Sequence, residues 1–232
     1  MQHPPLTLVI GDKAWSSWSL RPWLAMKRAG IAFEEAHVRL REGDATRAAC
    51  LAHSPAGKVP VLKWGDETIW DSLAILETLA VRLPDAKLWP DDAAAQAHGR
   101  AIAAEMHSGF QALRREMPMA CLDSLPDQGL TDEVAADITR IVALWTEARG
   151  RFGEAAGGGK SGGGESGPFL LGRFSIADAM YAPVVSRFTT YAPDLKALGD
   201  RDGIARAYMD TICAMPEMQA WIAGARMQHG AG

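Results

Sequence analysis

Leu6 to Ile10 is a short apolar run closed by Gly11-Asp12, the pattern of a buried strand followed by a turn. A loop carrying Trp15-Ser16-Ser17-Trp18-Ser19 follows, after which Leu20, Trp23, Leu24 and Met26 lay an apolar stripe at helical spacing. Pro22 predicts that this helix begins only shortly before it, since proline is tolerated in a first turn and costly later, and Gly30 suits a left-handed residue past the end. Residues 36–40 alternate through His37-Val38-Arg39-Leu40 as a second strand, and 45–52 predict a short helix before the Ser54-Pro55-Ala56-Gly57 break. Val59 to Trp64 and Glu67 to Trp70, joined by Gly65-Asp66, read as a hairpin. Leu73, Leu76, Leu79 and Leu83 then share one face of a helix from about Ser72, which Pro84 stops.

The order over 1–84 is therefore βαβαββα. From about 92 only helical periodicity remains, in alanine-rich segments near 92–117, 131–152, 175–191 and 203–226. That change of pattern predicts an α/β domain over 1–84, a linker over 85–91 and an all-α helical bundle over 92–232. Between Gly153 and Gly167 eight of fifteen residues are glycine, too little apolar surface to offset chain entropy, so a mobile surface loop is expected. Its Gly157-Gly158-Gly159-Lys160-Ser161 lacks the spacing and the preceding strand of a phosphate loop.

The charge balance, 24 basic against 28 acidic residues for a net −4, disfavours a nucleic-acid binder working through a basic face. No run approaches the length of a membrane span, and Met1-Gln2-His3-Pro4-Pro5 lacks signal-peptide character, which places the protein in the cytoplasm. Cys50, Cys121 and Cys213 are far apart and form neither a disulfide scaffold nor a metal cluster.

Three short segments carry candidate chemistry. Ser16-Ser17-Trp18-Ser19 sits where the first strand hands over to the first helix; free N–H groups and the helix dipole attract an anion there, although plain N-capping accounts for the serines as well. Val59-Pro60 predicts an edge-strand proline or a cis peptide whose neighbouring backbone can pair with an extended ligand. Asp71-Ser72 predicts an N-cap with a hydroxyl placed to hold a carboxylate. Ser175 and Asp178 have the spacing of a capping box.

In this order, Ser54-Pro-Ala-Gly-Lys-Val-Pro-Val-Leu62, Asp71-Ser-Leu-Ala-Ile-Leu-Glu77 and Phe174-Ser-Ile-Ala-Asp-Ala-Met-Tyr-Ala-Pro183 resemble the proline loop, the glutathione-carboxylate motif and the second-domain capping motif of the glutathione transferase family. The resemblance covers essentially the whole chain. It implies a thioredoxin-like first domain, an all-helical second domain, glutathione as co-substrate, no metal, a small-molecule electrophile as second substrate, a homodimer and a role in detoxification. Tyr181, Tyr191 and Tyr208 all lie in the second domain and the first cysteine is Cys50, which leaves a serine-type site within the family. Ser16-Ser17-Trp18-Ser19-Leu20-Arg21 looks like the zeta class's Ser-Ser-Cys-Ser segment, with Trp18 in place of the cysteine, in a bacterial-type member.

By that resemblance Ser16 stabilises the thiolate, with Ser17 and Ser19 as alternates. Val59 pairs its backbone with the cysteinyl part beside Pro60, Asp71 and Ser72 hold the γ-glutamyl end, and Lys58 or His53 reaches the glycine carboxylate. Trp15, Trp18, Met106, His107 and Phe110 line the electrophile pocket, although Met106, Phe110 and Leu113 equally suit the bundle core. Arg114 and Arg115 either attract an acidic substrate or form a solvated face. The implied activity is attack of activated glutathione on an electrophile; zeta-like isomerisation of a maleyl-type acid and a non-catalytic glutathione-binding protein are the alternatives.

Overall fold

Of the strand Leu6–Gly11 (β1) every residue but Thr7 is buried, as a central strand covered on both faces requires. The computed structural model describes residues 4–153 and 167–230. β1 pairs in parallel with β2 (Glu34–Val38) and antiparallel with β3 (Val61–Trp64), which pairs antiparallel with β4 (Glu67–Trp70), giving the order β2-β1-β3-β4. Helix α1 (Ser17–Arg28) is the crossover between the two parallel strands, and α2 (Asp44–Leu51) and α3 (Ser72–Arg82) follow β2 and β4. Because side chains alternate along a strand, Leu6, Leu8 and Ile10 face the main core, while Val9 joins Val38, Cys50 and Val61 in a small cluster on the other side. This is the thioredoxin-like α/β architecture expected from the sequence, followed by helices.

Helix α1 begins at Ser17, earlier than Pro22 predicts. Pro22 sits in its interior and offers no N–H to the Trp18 carbonyl, a defect the helix tolerates close to its N-terminal end. The segment 85–91 is more than a tether: Trp89 is buried and donates to Glu77 at 3.1 Å, and the Leu88 carbonyl accepts from Ile176 N–H at 2.9 Å.

The helical region comprises α4 (Ala93–Ser108), α5 (Gln111–Glu116), α6 (Asp132–Phe152), α7 (Ile176–Tyr191), α8 (Ile204–Cys213) and α9 (Pro216–Gly230). Two stretches read as single helices are broken. The 92–117 stretch stops at Gly109, whose N–H caps onto the Glu105 carbonyl, and Phe110 turns the chain with φ 58°. The 203–226 stretch breaks before Pro216, which opens α9 at the helix position that needs no N–H. Helix α7 is buried along all but Thr189 and packs against α1, joining the two halves behind the N-terminus of α1. The glycine-rich loop expected between 153 and 167 lies, apart from its two ends, outside the described residues.

Candidate active site

The proline loop, the start of α3 and the first turn of α1 converge on one cleft of about 530 Å³, which α4 closes with His107. Lys58, Val59 and Pro60 form one wall; the Val59–Pro60 peptide is cis, and Val59 precedes the β3 ladder that starts at Val61. Trp70, Asp71 and Ser72 form a second wall, and Trp18 and Ala56 complete the lining.

Asp71 caps α3: its Oδ1 accepts from the Leu73 and Ala74 N–H groups at 2.9 and 3.2 Å, and its Oδ2 lies 2.7 Å from His107 Nε2. Its backbone is at φ 74°, ψ 132°, a region a non-glycine residue occupies at a cost of roughly 1–3 kcal/mol and keeps only when its surroundings fix it. Those three hydrogen bonds do so, and they tie the α3 N-terminus to α4. Ser72 is 1% exposed and its Oγ has no hydrogen-bond partner. An orphaned buried hydroxyl costs about 1–3 kcal/mol, so its place in the wall of a cleft is informative.

Ser16 is the N-cap of α1 yet makes no side-chain cap; its Oγ donates to Ser19 Oγ at 2.7 Å, and Ser19 Oγ also accepts from Gly11 N–H at 3.1 Å. Ser17 Oγ accepts from Arg187 Nη2 at 3.4 Å, which leaves its own proton available to donate. All three serines are buried and none of them lines the cleft, to which α1 contributes Trp18.

The structure thus brings Trp18, Lys58, Val59, Pro60, Asp71, Ser72 and His107 together and separates other candidates. Trp15, which precedes the helix and shares no face with Trp18, borders a different depression, where its ring stands 5.2 Å from that of His229 and 4.1 Å from the Arg41 guanidinium. Met106 and Phe110 are bundle core, because the break at Gly109 ends the helical spacing that would have put them on one face. His53 is absent from the lining; its carbonyl accepts from Lys63 Nζ at 2.7 Å. Arg115 bridges Glu116 and Glu133 on the surface, whereas Arg114 turns inward, donating to the Gly109 and Met106 carbonyls.

Two further arginines, not singled out by the sequence, stand beside Arg114. Arg21 is fully buried with its guanidinium 4.0 Å from the Trp18 ring centre, and Arg114 lies 4.6 Å from the same ring. Arg187 is buried on α7. Burial, then the neighbouring charges of Arg114 and Arg187, hold Arg21 well below the usual arginine range, with Asp71 opposing; burial and Arg114 bring Arg187 to about 9. The available signal was a charged residue inside an apolar helix face: Leu20-Arg21-Pro22-Trp23 on α1 and Val184-Val185-Ser186-Arg187-Phe188 on α7. Among the described residues no group of three or more His, Cys, Asp or Glu is placed to hold a metal ion, and no helix is long and apolar enough to cross a membrane.

The chain resembles solved structures over nearly its full length. A glutathione transferase homologue from Burkholderia gl BGR1, crystallised with bound glutathione, is 20% identical with a TM-score of 0.64, covering 96% of this chain and 98% of that one. Poplar glutathione transferase F1 is 17% identical with a TM-score of 0.69, covering 96% and 98%. By sequence, a probable maleylacetoacetate isomerase from Caenorhabditis elegans is 29% identical over 195 residues, 78% of this chain and 85% of that protein. A zeta-class glutathione S-transferase from Euphorbia esula is 29% identical over 128 residues, 55% of this chain and 56% of its own. The family model for the glutathione S-transferase N-terminal domain matches residues 15–82, which hold all of the cleft but His107, and that for the C-terminal domain matches 95–224. With one model matching most of the first half and the other most of the helical half, the chain belongs to the glutathione S-transferase family.

Proposed function

We propose that the protein binds glutathione in this cleft and activates its thiol for attack on a small electrophile. The observation that carries the reading is Ser72: a buried hydroxyl with no partner, at a helix N-terminus, in a wall shared with the proline loop. Free N–H groups and the dipole of α3 favour a carboxylate there, and Ser72 adds a donor. Asp71 Oδ2, already beside His107, accepts from the ammonium of the γ-glutamyl end. Exposed Lys58 serves the far carboxylate, and the backbone of Val59, outside the ladder, pairs with the peptide of the ligand.

A free thiol has a pKa of about 8.5, so only a few per cent is thiolate at pH 7; lowering it by about two units takes about 2.7 kcal/mol. One hydroxyl donor and the N-terminus of α1 supply energy of that order. Ser16 is the assigned donor, and to reach the sulfur its hydroxyl turns away from Ser19; Ser17, with a guanidinium behind it, is the alternate. The thiol proton passes to solvent, sulfur bonds to the electrophilic carbon, and the electron pair of the broken bond departs with the leaving group.

Isomerisation of a maleyl-type acid is the second reading, favoured by the similarity to the probable maleylacetoacetate isomerase and by the buried arginines near the cleft. There sulfur would add to the double bond, the resulting single bond would rotate, and sulfur would leave again, with no net oxidation. The homodimer belongs to the same reading: Leu51, Trp70 and Val81 are large exposed apolar side chains of the first 84 residues. Light scattering is expected to give twice the chain mass, and a monomer would remove the dimer from the proposal.

Ser72→Ala tests the assignment of the cleft. Because the hydroxyl has no partner in the unliganded protein, its loss leaves stability within about 0.5 kcal/mol, while the affinity for reduced glutathione, measured calorimetrically, falls about tenfold. Unchanged affinity, or no binding by the wild type, would refute the reading.

A further inference from the structure

Asp71 uses its two carboxylate oxygens for different purposes. Oδ1 alone caps α3, accepting from the Leu73 and Ala74 N–H groups, so the helix asks nothing of Oδ2. Oδ2 instead lies 2.7 Å from His107 Nε2, the one hydrogen bond that His107 makes among the described residues. His107 comes from α4, in the helical half, and the two side chains are part exposed, 32% for His107 and 41% for Asp71. A pair at such exposure adds little to stability, so fastening the two halves together does not account for it.

The surroundings of His107 fix its ring. Trp18 of α1 stands edge-on to it with ring centres 5.4 Å apart, and Arg114 closes the end of α4 that carries it by donating to the Met106 and Gly109 carbonyls. Trp18, Asp71, Ser72 and His107 all line the same cleft. A chain of contacts thus runs from α1 through the tip of α4 to the N-terminus of α3, and it ends on the one oxygen of Asp71 that capping leaves free.

The γ-glutamyl end of glutathione is a zwitterion whose ammonium and carboxylate sit on one carbon, so its receptor needs an acceptor and a donor side by side. Asp71 and Ser72 are consecutive and supply both: a carboxylate, and a buried hydroxyl with no partner beside the N–H groups of α3. A carboxylate oxygen accepts in two directions. With His107 taking one of them at Oδ2, the other is set before the ligand arrives, and less ordering remains to be done on binding.

We infer that His107 is a positioning residue for the γ-glutamyl ammonium: it orients Asp71 Oδ2, and through it the helical half takes part in recognising glutathione. The inference rests on the glutathione reading of the cleft and adds to it a residue from the second half of the chain.

Calorimetric affinities test this for S-methyl glutathione and for its analogue with hydrogen in place of the amino group. Two variants divide the properties of the histidine: His107→Gln keeps an N–H donor and loses the ring, whereas His107→Phe keeps a ring against Trp18 and loses the donor. The wild type is expected to prefer the amine about tenfold or more, the strength of a charge-assisted hydrogen bond. In His107→Phe that preference falls about threefold or more, with affinity for the des-amino analogue unchanged, and in His107→Gln most of it is retained. His107→Ala is read as His107→Phe should the larger ring not fit. A preference unmoved or raised without the donor, affinities for both ligands that fall together, or equal losses in His107→Gln and His107→Phe overturn the inference and leave the cleft assigned. A wild type indifferent to the amine overturns it together with the role of Asp71. Binding of neither ligand by the wild type refutes the glutathione reading itself, and the inference with it.

Discussion

Ser16→Ala is expected to lower kcat/KM for glutathione conjugation at pH 7 by about 10- to 100-fold, the effect of losing one hydrogen bond of about 1.5–3 kcal/mol to a charged sulfur. The loss belongs to the thiolate and not to the rest of the ligand, so affinity for S-methyl glutathione, which has no thiol proton, changes little. The pH dependence carries the sign. Removing a donor to the anion raises the pKa of the bound thiol, so the variant's activity recovers as pH rises and its acid limb lies one to two units above that of the wild type. Rates across pH 6–9 for Ser16→Ala and Ser17→Ala separate the two hydroxyls. Ser16 now donates to Ser19, whereas Ser17 accepts from Arg187 and has a proton free. A displaced limb in Ser17→Ala alone transfers the role to Ser17; an undisplaced limb in both removes the α1 serines from thiol activation.

The elements of the first half were readable because each carries its own local signal. The buried run Leu6–Ile10, the hairpin turn at Gly65-Asp66 and the leucines three or four residues apart after Ser72 place three strands and a helix within a residue or two of their observed bounds. The helical half was readable as helix but not as helices. Periodicity continues in register across Gly109 and again near Pro216, and only the stop chemistry of those two residues marks the breaks. The early start of α1 escaped for a related reason. A proline at its sixth position violates a local preference that packing against α7 and α3 overrides.

For the site, motifs identified the walls, while of the arginines behind Trp18 only Arg114 was singled out and Arg21 and Arg187 were not. Lys58, Val59, Pro60, Asp71 and Ser72 are contiguous pairs and triplets, so local sequence carries them. Arg21, Arg114 and Arg187 come from three helices and meet only because α7 lies against α1 and because Phe110, with φ 58°, turns α5 back toward the cleft. Trp15 and Trp18 show the opposite failure: neighbours in sequence, they border different depressions because only Trp18 lies within the helix. His107 was assigned to the electrophile side, and its ring does stand edge-on to Trp18 at 5.4 Å, yet its hydrogen bond is to Asp71, the residue proposed for glutathione. It therefore borders both halves of the cleft.

Asp178→Ala is expected to cost about 3–5 kcal/mol of folding stability, a fall in melting temperature of about 10 °C or more for a chain of this size. The Asp178 carboxylate is fully buried at the start of α7, where it accepts from Ser175 N–H at 2.8 Å, Ser175 Oγ at 3.1 Å and Leu170 N–H at 3.1 Å. It satisfies the capping box that the Ser175–Asp178 spacing announced and also pins the chain entering α7, the helix against which α1 and the cleft are built. Truncation leaves those donors buried with nothing to bind. Burial pushes the Asp178 carboxyl up to about 6, against the pull of its hydrogen bonds, so the folded state holds this proton more tightly than the unfolded chain, where the carboxyl titrates near 4. The contribution of this proton to stability is complete below about pH 4 and is lost as pH rises through about 6. Alanine has no such proton, so the gap in stability between wild type and variant is wider at pH 5 than at pH 8, by about 1.4 kcal/mol or roughly 3–5 °C. A gap that instead widens with pH would show that the three donors outweigh burial and hold the carboxylate ionised, and a gap near zero would remove Asp178 from the support of α7 altogether.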